Sequence, residues 1–497
     1  MGPVIDIDPW DLVRVEDPAD PGALATSATG ATRVGPPAHG KWRVEPVPEP
    51  GVAPPEGGSV AWEAVEAMAV QPWHDAGITG KGVRIAVFDL QWADWDRAAH
   101  HPELGTLRTW DCFAHRSCEV PFDAPTPRFT FEAASHGVAC AEVIRDIAPG
   151  AEVDLVRVNS FTTLENGVDW AIREGVDIIS MSLSFYSDSF HDGTGAINDL
   201  MDRLAAAGVL MVTSAGNSAE EHWVGDLRDD DGDGVHEWST GTEDLWVWMP
   251  AGDRRVTVMW DDFTNCGDTD LDVLVLDEAG VVRSRALARQ VVGAEDCSPV
   301  ERLSVRVAES AWHRLQVRRF GGDPVARVDV MVRGGEVWEG VPAGSLTDPA
   351  THPSVVAVGA VRARGYAFNG PESFSSRGPT NGGLAKPDIA GPNGLSGTVY
   401  GPTGFYGTSA STPAVVGAIA LLMEEDPRLD AEAATERLKA TALRDGAAGD
   451  AGDPGLGAGR ARLLPPGSAP PCGGNAGWGL VLMGPLFALG ARRRRSG

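Results

Sequence analysis

Three residues that lie far apart in the chain, Asp89, His136 and Ser409, have the side-chain types needed for nucleophilic catalysis. A serine hydroxyl becomes a nucleophile when a histidine accepts its proton and a carboxylate orients the imidazole. Asp89 ends an apolar run, and His136 and Ser409 each stand at the start of a predicted helix. A helix N-terminus points backbone N–H groups at a developing oxyanion. These residues predict acyl transfer, with Ser409 as nucleophile, His136 as general base and then acid, and Asp89 as the group that orients His136.

Each of these residues also has a simple structural interpretation when it is taken alone. Asp89 suits a turn at the end of a strand, and His136 suits the first turn of a helix. Ser409 suits a helix cap. The chemical interpretation therefore depends on the three occurring together, in this order and with these flanking residues.

The elements that must position these residues form an alternating pattern between about residues 83 and 217. Apolar runs that predict buried strands are followed by stretches whose apolar residues recur at helical spacing. The predicted strands cover residues 83–88, 153–158, 176–183 and 209–213. Alternation of strands and helices predicts an α/β fold with a parallel sheet covered by helices. An earlier helical spacing, from Trp62 to Trp73, predicts that ordered structure begins near residue 60.

The pattern changes between about residues 219 and 345, where apolar residues alternate with polar ones. Residues 256–260, 303–307 and 328–332 show this period of two, with Gly, Asp and Pro turns between such runs. That pattern predicts an all-β sandwich. The first pattern returns with a strand at 355–358 and an apolar helix at 414–423, so the sandwich is predicted to be inserted into the α/β domain.

Several short motifs resemble those of the subtilase (subtilisin-like) family of serine peptidases. Residues 407–413, which read Gly-Thr-Ser-Ala-Ser-Thr-Pro, resemble its nucleophile motif, and His136-Gly137 resembles its histidine motif. The order Asp, His, Ser is also that of subtilisin. Residues 214–217 resemble the segment whose Asn completes the oxyanion hole. Two further family signatures are resembled by residues 374–379 and 386–390.

The resemblance implies a subtilisin-like fold, serine endopeptidase activity on protein or peptide substrates, and chemistry that needs no cofactor. It also assigns the Asn217 side chain and the Ser409 backbone N–H to the oxyanion hole. The resemblance covers residues 61–218 and 346–462, and the β-insert at 219–345 separates the two parts.

Some residues depart from the family pattern. Leu90 and Gln91 follow Asp89, where the family has Thr-Gly, and Glu142 replaces a common Gly after the histidine motif. The altered loop after Asp89 favours the alternative function, which is a surface-binding protein that keeps the subtilase fold without catalysis.

The insert carries a candidate metal site. Asp229, Asp231 and Asp233 occupy alternating positions, and Gly234 is sixth, as in calcium-binding loops. Thr240 stands at the twelfth position, where such loops have a bidentate Glu. Two interpretations stay open: structural calcium, or an acidic turn exposed to solvent.

The composition restricts the partners of the protein. The chain has 497 residues and a formal net charge of −29, with 70 acidic and 41 basic residues. Phosphate backbones repel so negative a protein, and this argues against nucleic acid as a partner. The oligomeric state is left open.

The two ends of the chain give different indications of location. Residues 1–60 are rich in Pro and Gly, show no signal peptide and predict a leader or linker. Residues 463–497 predict a linker and a C-terminal tail, in which the uncharged stretch 473–491 precedes an Arg cluster. This tail resembles bacterial surface-sorting tails and is a candidate membrane anchor. We therefore expect a bacterial extracellular, cell-surface or envelope protein.

Cysteine use is sparse, with six residues in the chain. Cys112 and Cys118 are close enough in sequence for a local disulfide, as are Cys266 and Cys297. Cys140 lies in an apolar run and is predicted to be a small buried core residue.

Overall fold

A computed structural model describes most of the chain from residue 63 to residue 468. The described residues are 63–92, 95, 104, 107–112, 118, 135–238, 241–263, 269–289, 299–322, 325–444 and 454–468.

A seven-stranded sheet forms the centre of the α/β part, and every neighbouring pair of its strands is parallel. The predicted strand at 176–183 is shorter than expected, because only its most apolar part pairs. In spatial order the strands are β16 (Ile389–Asn393), β15 (Val356–Arg362), β5 (Leu210–Ser214), β4 (Ile178–Met181), β1 (Arg84–Asp89), β3 (Glu152–Arg157) and β2 (Arg108–Asp111).

Helices cover both faces of this sheet. Along β1, Ile85 and Val87 pack into one apolar cluster, while Ala86 and Phe88 pack into the other. Side chains of a strand alternate between faces, so a sheet covered on both sides needs apolar residues at nearly every position. The first face carries α3 (His136–Ile147), α6 (Thr408–Glu425) and α7 (Ala431–Ala440), and the second carries α4 (Phe161–Glu174) and α5 (Ala196–Ala207).

The region between β5 and β15 contains two antiparallel sheets. Their spatial orders are β10-β9-β12-β7-β14 and β11-β8-β13-β6. In chain order the strands are β6 (His222–Asp226), β7 (Leu245–Met249), β8 (Gly252–Trp260), β9 (Asp270–Asp277), β10 (Val282–Ala286), β11 (Val300–Val307), β12 (Ala311–Gly321), β13 (Arg327–Arg333) and β14 (Glu336–Val337).

One apolar cluster lies between these two sheets. Val247 and Val273 from the first sheet pack with Val258 and Val330 from the second. These residues come from the alternating runs of the sequence, whose apolar positions share one face of each strand. All-β structure is therefore present where the period of two predicted it.

The helical spacing near residue 62 does not produce one helix. Instead, α1 (Glu63–Ala67) and α2 (Gln71–Asp75) are separated by a turn in which Ala69 has a positive φ of 58°. Pro72 lies in the first turn of α2, where its missing N–H leaves no helical hydrogen bond unmade.

Cys112 and Cys118 form a disulfide, as their spacing predicted. The second predicted pair, Cys266 and Cys297, lies outside the described residues, as do the leader and the candidate anchor at 473–491. Within the described part of the chain, no helix has the length and apolar character needed to span a membrane.

Candidate active site

The carboxyl edge of the parallel sheet brings together residues that are distant in sequence. Asp89 is the last residue of β1, Ser182 directly follows β4, and Asn217 lies just after β5. These three strands are neighbours in the sheet. Since the carboxyl ends of parallel strands share one edge, their terminal residues gather in one place, where α/β folds commonly bind ligands. The candidate site is built at this edge.

Asp89 and His136 form a buried pair. One carboxylate oxygen, Oδ2, lies 2.6 Å from His136 Nδ1. The other oxygen, Oδ1, accepts hydrogen bonds from the backbone N–H groups of Leu90 at 2.8 Å and Gln91 at 2.9 Å. Neither Asp89 nor His136 is exposed to solvent. The two amides fix the rotation of the carboxylate, so that its second oxygen holds the Nδ1 side of the imidazole.

The opposite nitrogen of His136 and the hydroxyl of Ser409 are both buried and uncommitted. Among the described residues, neither His136 Nε2 nor Ser409 Oγ has a hydrogen-bond partner. Ser409 lies in the first turn of α6, at a helix N-terminus. Catalytic hydrogen bonds are often loose in unliganded sites and tighten around substrate. The missing contact between these two atoms is compatible with that state.

The main chain of Ser409 is held from the side of the sheet. Its carbonyl oxygen accepts a hydrogen bond from Ser182 Oγ at 3.4 Å and a weaker one from Cys140 Sγ at 3.8 Å. Burial, followed by the nearby charge of Asp89, raises the pKa of the Cys140 thiol well above its ordinary value, although the hydrogen bond with Ser182 opposes this shift. Cys140 is therefore a protonated packing residue, and the prediction that it is buried is confirmed.

Asn217 is oriented by the residue that precedes Ser409. Its Oδ1 accepts hydrogen bonds from the backbone N–H of Thr408 at 3.0 Å and from the Thr408 hydroxyl at 2.9 Å. This arrangement leaves the Asn217 NH₂ group to donate. Gly407 has a φ of 105°, and a Cβ atom there would lie 3.2 Å from Asn217 Nδ2 and 3.7 Å from Ser409 N. A glycine at 407 therefore keeps both donors accessible.

One of the two later family signatures, residues 374–379, contacts the segment that carries Asn217. Ser376 Oγ accepts a hydrogen bond from the N–H of Ser218 at 3.0 Å, and the N–H of Ser376 donates to the carbonyl of Gly216 at 2.9 Å. Lys386 Nζ pairs with Asp388 at 2.7 Å. Among these contacts, those of Ser376 fix the segment that carries Asn217.

One supporting residue, Asn393, had no prediction from the sequence. Asn393 is fully buried, and its Oδ1 accepts the N–H of Gly407 at 2.7 Å. Its Nδ2 donates to Glu372 at 2.8 Å. The available signal was its position, since Asn393 ends β16 at the same carboxyl edge of the sheet as Asp89.

The unusual Glu142 has a structural explanation. Its carboxylate accepts hydrogen bonds from the N–H of Thr398, at 3.1 Å, and from the Thr398 hydroxyl. Thr398 belongs to the hairpin of β17 (Leu395–Gly397) and β18 (Gly401–Phe405). At the end of this hairpin, the Phe405 ring meets the His136 ring edge-on, with ring centroids 5.7 Å apart. Glu142 therefore anchors the hairpin that packs on His136.

From the sequence, His222 and Trp223 just after the Asn217 segment have two interpretations, the edge of the substrate cleft or core packing. His222 is fully buried and Trp223 is 4% exposed. Trp223 packs in the apolar cluster between the two antiparallel sheets. Core packing is therefore correct for Trp223, while His222 is buried against Asp329 and the Val341 carbonyl.

The acidic loop in the insert brings three carboxylates together. Asp229, Asp231 and Asp233 each offer an oxygen atom within 4.8 Å of the others. Hydrogen bonds within the loop, such as Gly234 N to Asp229 Oδ1 at 3.2 Å, shape the turn. Oxygen atoms of this kind suit a hard cation such as calcium.

The model of the subtilase family matches residues 124–240 and 308–459, which together make up just over half of the chain. The chain belongs to the subtilase family. The matched ranges include His136, Asn217 and Ser409, and they leave out much of the antiparallel insert. The family resemblance stated from the motifs is thus confirmed.

Curated subtilases align with parts of the chain. The minor extracellular protease Vpr of Bacillus subtilis is 26% identical over 424 residues, which cover 74% of this chain and 49% of Vpr. Subtilisin E of the same species is 38% identical over 159 residues, which cover 29% of this chain and 36% of subtilisin E. The chain therefore spans about half or less of the length of these relatives.

A solved structure supports the fold. The CspB protease of Clostridium perfringens superimposes with a TM-score of 0.59 at 20% sequence identity, covering 81% of this chain and 98% of that one. At this level of identity the likeness concerns the fold alone. The predicted α/β, subtilisin-like fold is confirmed.

Proposed function

We propose that this subtilase is a serine endopeptidase that uses Ser409, His136 and Asp89 as its catalytic triad. The observation that carries the proposal is the 2.6 Å contact between Asp89 Oδ2 and His136 Nδ1, with His136 Nε2 and the Ser409 hydroxyl both left uncommitted. An imidazole fixed at one nitrogen and available at the other is the arrangement that general-base catalysis requires.

In the proposed reaction, Ser409 Oγ attacks the carbonyl carbon of a peptide bond while its proton moves to His136 Nε2. The Asp89 carboxylate stabilises the imidazolium that forms. When the tetrahedral intermediate collapses, His136 returns the proton to the leaving amine and an acyl-enzyme remains. Water then attacks the ester with His136 again as base, and this step releases the acid and regenerates Ser409.

Charge on the substrate oxygen would be stabilised by two donors, the Asn217 NH₂ group and the Ser409 backbone N–H. The contacts from Thr408 to Asn217 Oδ1 support this role, because they occupy the amide oxygen and leave the NH₂ group to donate. Donors that are fixed before the charge develops stabilise it without reorganising. The proposed chemistry uses side chains and backbone amides, and no cofactor takes part in it.

One observation favours the alternative, a subtilase-fold binding protein without catalysis. His136 and Ser409 are both 0% exposed. A peptide carbonyl can reach the Ser409 hydroxyl only if these two side chains become accessible. Whether they become accessible separates the two functions.

Labelling with a fluorophosphonate probe tests the proposal, since the probe reacts only with an activated serine. We expect wild-type protein to be labelled and Ser409→Ala to be unlabelled. Ser411→Ala is the matched control, because Ser411 is equally buried in the same helix and its hydroxyl donates to the Pro392 carbonyl at 3.2 Å. Folded wild-type protein that resists labelling would favour the binding protein.

The remaining features of the proposal concern location and the insert. Relatives named as extracellular proteases support secretion of this chain. We propose that residues 473–491 anchor the protein at the cell surface or envelope, and that residues 219–345 form an inserted module beside the catalytic domain. Asp229, Asp231 and Asp233 would hold a structural calcium ion in that module.

A further inference from the structure

The segment after Asp89 departs from the family pattern, yet it makes two hydrogen bonds with Asp89 and one with the residue that follows His136. The N–H groups of Leu90 and Gln91 hold Asp89 Oδ1. The carbonyl of Gln91 accepts the N–H of Gly137 at 3.1 Å. This last contact ties the segment to the residue next to His136, so that one short stretch supports both members of the pair.

Trp92 completes this support. Its indole nitrogen donates a hydrogen bond to the Asp89 carbonyl at 2.9 Å, and the side chain is buried, with 4% exposure. This hydrogen bond from the Trp92 indole closes a tight turn between Asp89 and Trp92. The indole ring lies directly against the start of helix α3.

The contact between the Trp92 ring and α3 is close. A Cβ atom placed on Gly137 would lie 2.6 Å from Trp92 Cη2 and 2.7 Å from Asp89 Cβ. The α-carbon of Gly137 thus fits between the indole ring and Asp89, and only glycine leaves room for both. Since His136 precedes Gly137, the ring sets how closely the histidine helix approaches the strand that carries Asp89.

We propose that Trp92 is a positioning residue, which holds the Asp89 carboxylate and the His136 imidazole in their relative positions. It does so in place of the small-residue turn that is usual in subtilases. This inference rests on the proposed function, because positioning matters for catalysis only if the pair acts on Ser409. The effect of Trp92 passes through Asp89 and Gly137.

Two variants of Trp92 separate its contributions. Trp92→Phe keeps an aromatic ring but loses the N–H donor, and we expect the rate constant of fluorophosphonate labelling to fall about fivefold. Trp92→Ala removes the ring, and we expect a fall of about 100-fold, the size associated with a misplacement of about 1 Å in a catalytic group. A positioning role predicts that the conservative variant Trp92→Phe retains part of the labelling rate that Trp92→Ala loses.

Trp73 provides a matched control. It is 1% exposed, belongs to the same apolar cluster as Trp92, and its indole N–H donates to the Leu464 carbonyl at 2.8 Å. We expect Trp73→Phe and Trp73→Ala to lower the urea midpoint of unfolding without changing the labelling rate. An equal loss of labelling in the Trp73 variants would overturn the proposal, because the effect would then come from general destabilisation.

A second readout does not depend on activity. The proton shared between Asp89 Oδ2 and His136 Nδ1 gives a far-downfield signal in a one-dimensional ¹H NMR spectrum, which His136→Ala identifies by its loss. We expect this signal to shift or broaden in Trp92→Phe and to stay in place in Trp73→Phe. An unchanged signal in Trp92→Phe, with unchanged labelling, contradicts positioning. If wild-type protein shows the signal but resists labelling, the proposed function fails, and the signal alone decides the role of Trp92.

Discussion

Two buried groups of aspartate and histidine side chains occur among the described residues, and they differ in what surrounds the carboxylate. In the first, Asp89 holds His136, whose second nitrogen has no hydrogen-bond partner among the described residues. In the second, Asp329 lies 3.4 Å from His222 and 3.6 Å from His191. A buried Asp–His contact therefore does not by itself mark a catalytic site.

The second group connects the insert to the α/β part of the chain. Asp329 lies on β13 and His222 on β6, while His191 lies between β4 and α5. Asn381 donates to Asp329 Oδ2 at 2.8 Å and to the Phe190 carbonyl at 2.9 Å. The Asp329 carboxylate faces several partners. Its contacts therefore join separate segments of the chain and do not orient a single imidazole.

The comparison shows that the partners of the carboxylate distinguish the two groups, because both groups contain imidazole nitrogens without a hydrogen bond. At the first group, two backbone amides and one imidazole satisfy Asp89. At the second group, His222 Nδ1 contacts the Val341 carbonyl at 2.5 Å, and its Nε2 faces Asp329. A carboxylate that faces two imidazoles and the Asn381 amide suits a structural role.

Matched substitutions of Asp89 and Asp329 should give the largest difference in the labelling rate of Ser409. We expect Asp89→Asn to lower the labelling rate of Ser409 by about 10⁴-fold, because the amide favours the wrong tautomer of His136. Asp329→Asn should leave that rate nearly unchanged in protein that is still folded. Labelling rates, measured beside circular dichroism, check this. Loss of labelling in both folded variants would break the comparison.

The two asparagines provide the next test. Asn217→Ala should lower kcat on fluorescent casein by about 10²–10³-fold with little change in KM, a magnitude known from the oxyanion hole of subtilisin. Asn381→Ala should leave both constants close to wild type, since Asn381 supports Asp329. A change in KM alone for Asn217→Ala would assign that residue to substrate binding instead.

The second group should give stability a defined pH dependence. Burial lowers the pKa of His191, but the hydrogen bond and charge of Asp329, with the charges of Asp348 and Asp192, outweigh burial and raise it overall. Burial would raise the pKa of Asp329, but His222 and His191 more than offset this and lower it well below its ordinary value. The folded protein thus favours the charged form of both groups.

The sign of each shift defines the pH window. A raised histidine pKa contributes stability below about pH 6.5 that is lost as the pH rises through the folded value, and a lowered aspartate pKa contributes stability above about pH 4 that is lost on acidification. We expect Asp329→Asn to cost about 3 kcal/mol of unfolding free energy, with the greatest loss between these limits. Urea unfolding from pH 4 to pH 8 measures it. A loss independent of pH would remove the charged pair from the explanation.

Calcium should produce the smallest effect, which is a gain in stability through the acidic loop at residues 229–233. This loop belongs to neither aspartate–histidine group. At a calcium concentration ten times its Kd, we expect about 1.4 kcal/mol of stabilisation of wild-type protein, and none of Asp231→Asn/Asp233→Asn. Asp230→Asn is the control, because Asp230 pairs with Arg228 at 2.5 Å. Melting temperatures with calcium and with chelator give the answer. Equal stabilisation of all three proteins would place calcium elsewhere.

Local patterns predicted much of the fold and the residue types of the site. The period of two located the antiparallel strands, and the alternation of apolar runs and helical stretches located the parallel sheet. The sequence also predicted Asp89, His136, Asn217 and Ser409, which the fold brings to one edge of that sheet. Their catalytic roles stay predictions.

Contacts between distant residues could not be read in this way. Glu142 seemed only a departure from a family pattern until the fold placed Thr398, 256 positions later, against its carboxylate. Asn393 had no distinguishing neighbours in the chain, and for His222 the sequence left open either the edge of the cleft or core packing. Local periodicity says which face of an element is buried, but not which distant side chain that face will meet.

The amino-acid sequence by itself therefore determined the family, the order of the elements and the candidate nucleophile, because short-range motifs and periodicity record these directly. Only the tertiary structure decided how the unusual loop after Asp89 supports its carboxylate, which aspartate faces a single imidazole, and which aspartate joins the antiparallel region to the parallel sheet. These properties depend on burial and on hydrogen bonds between segments far apart in the chain, and such contacts exist only once the chain has folded.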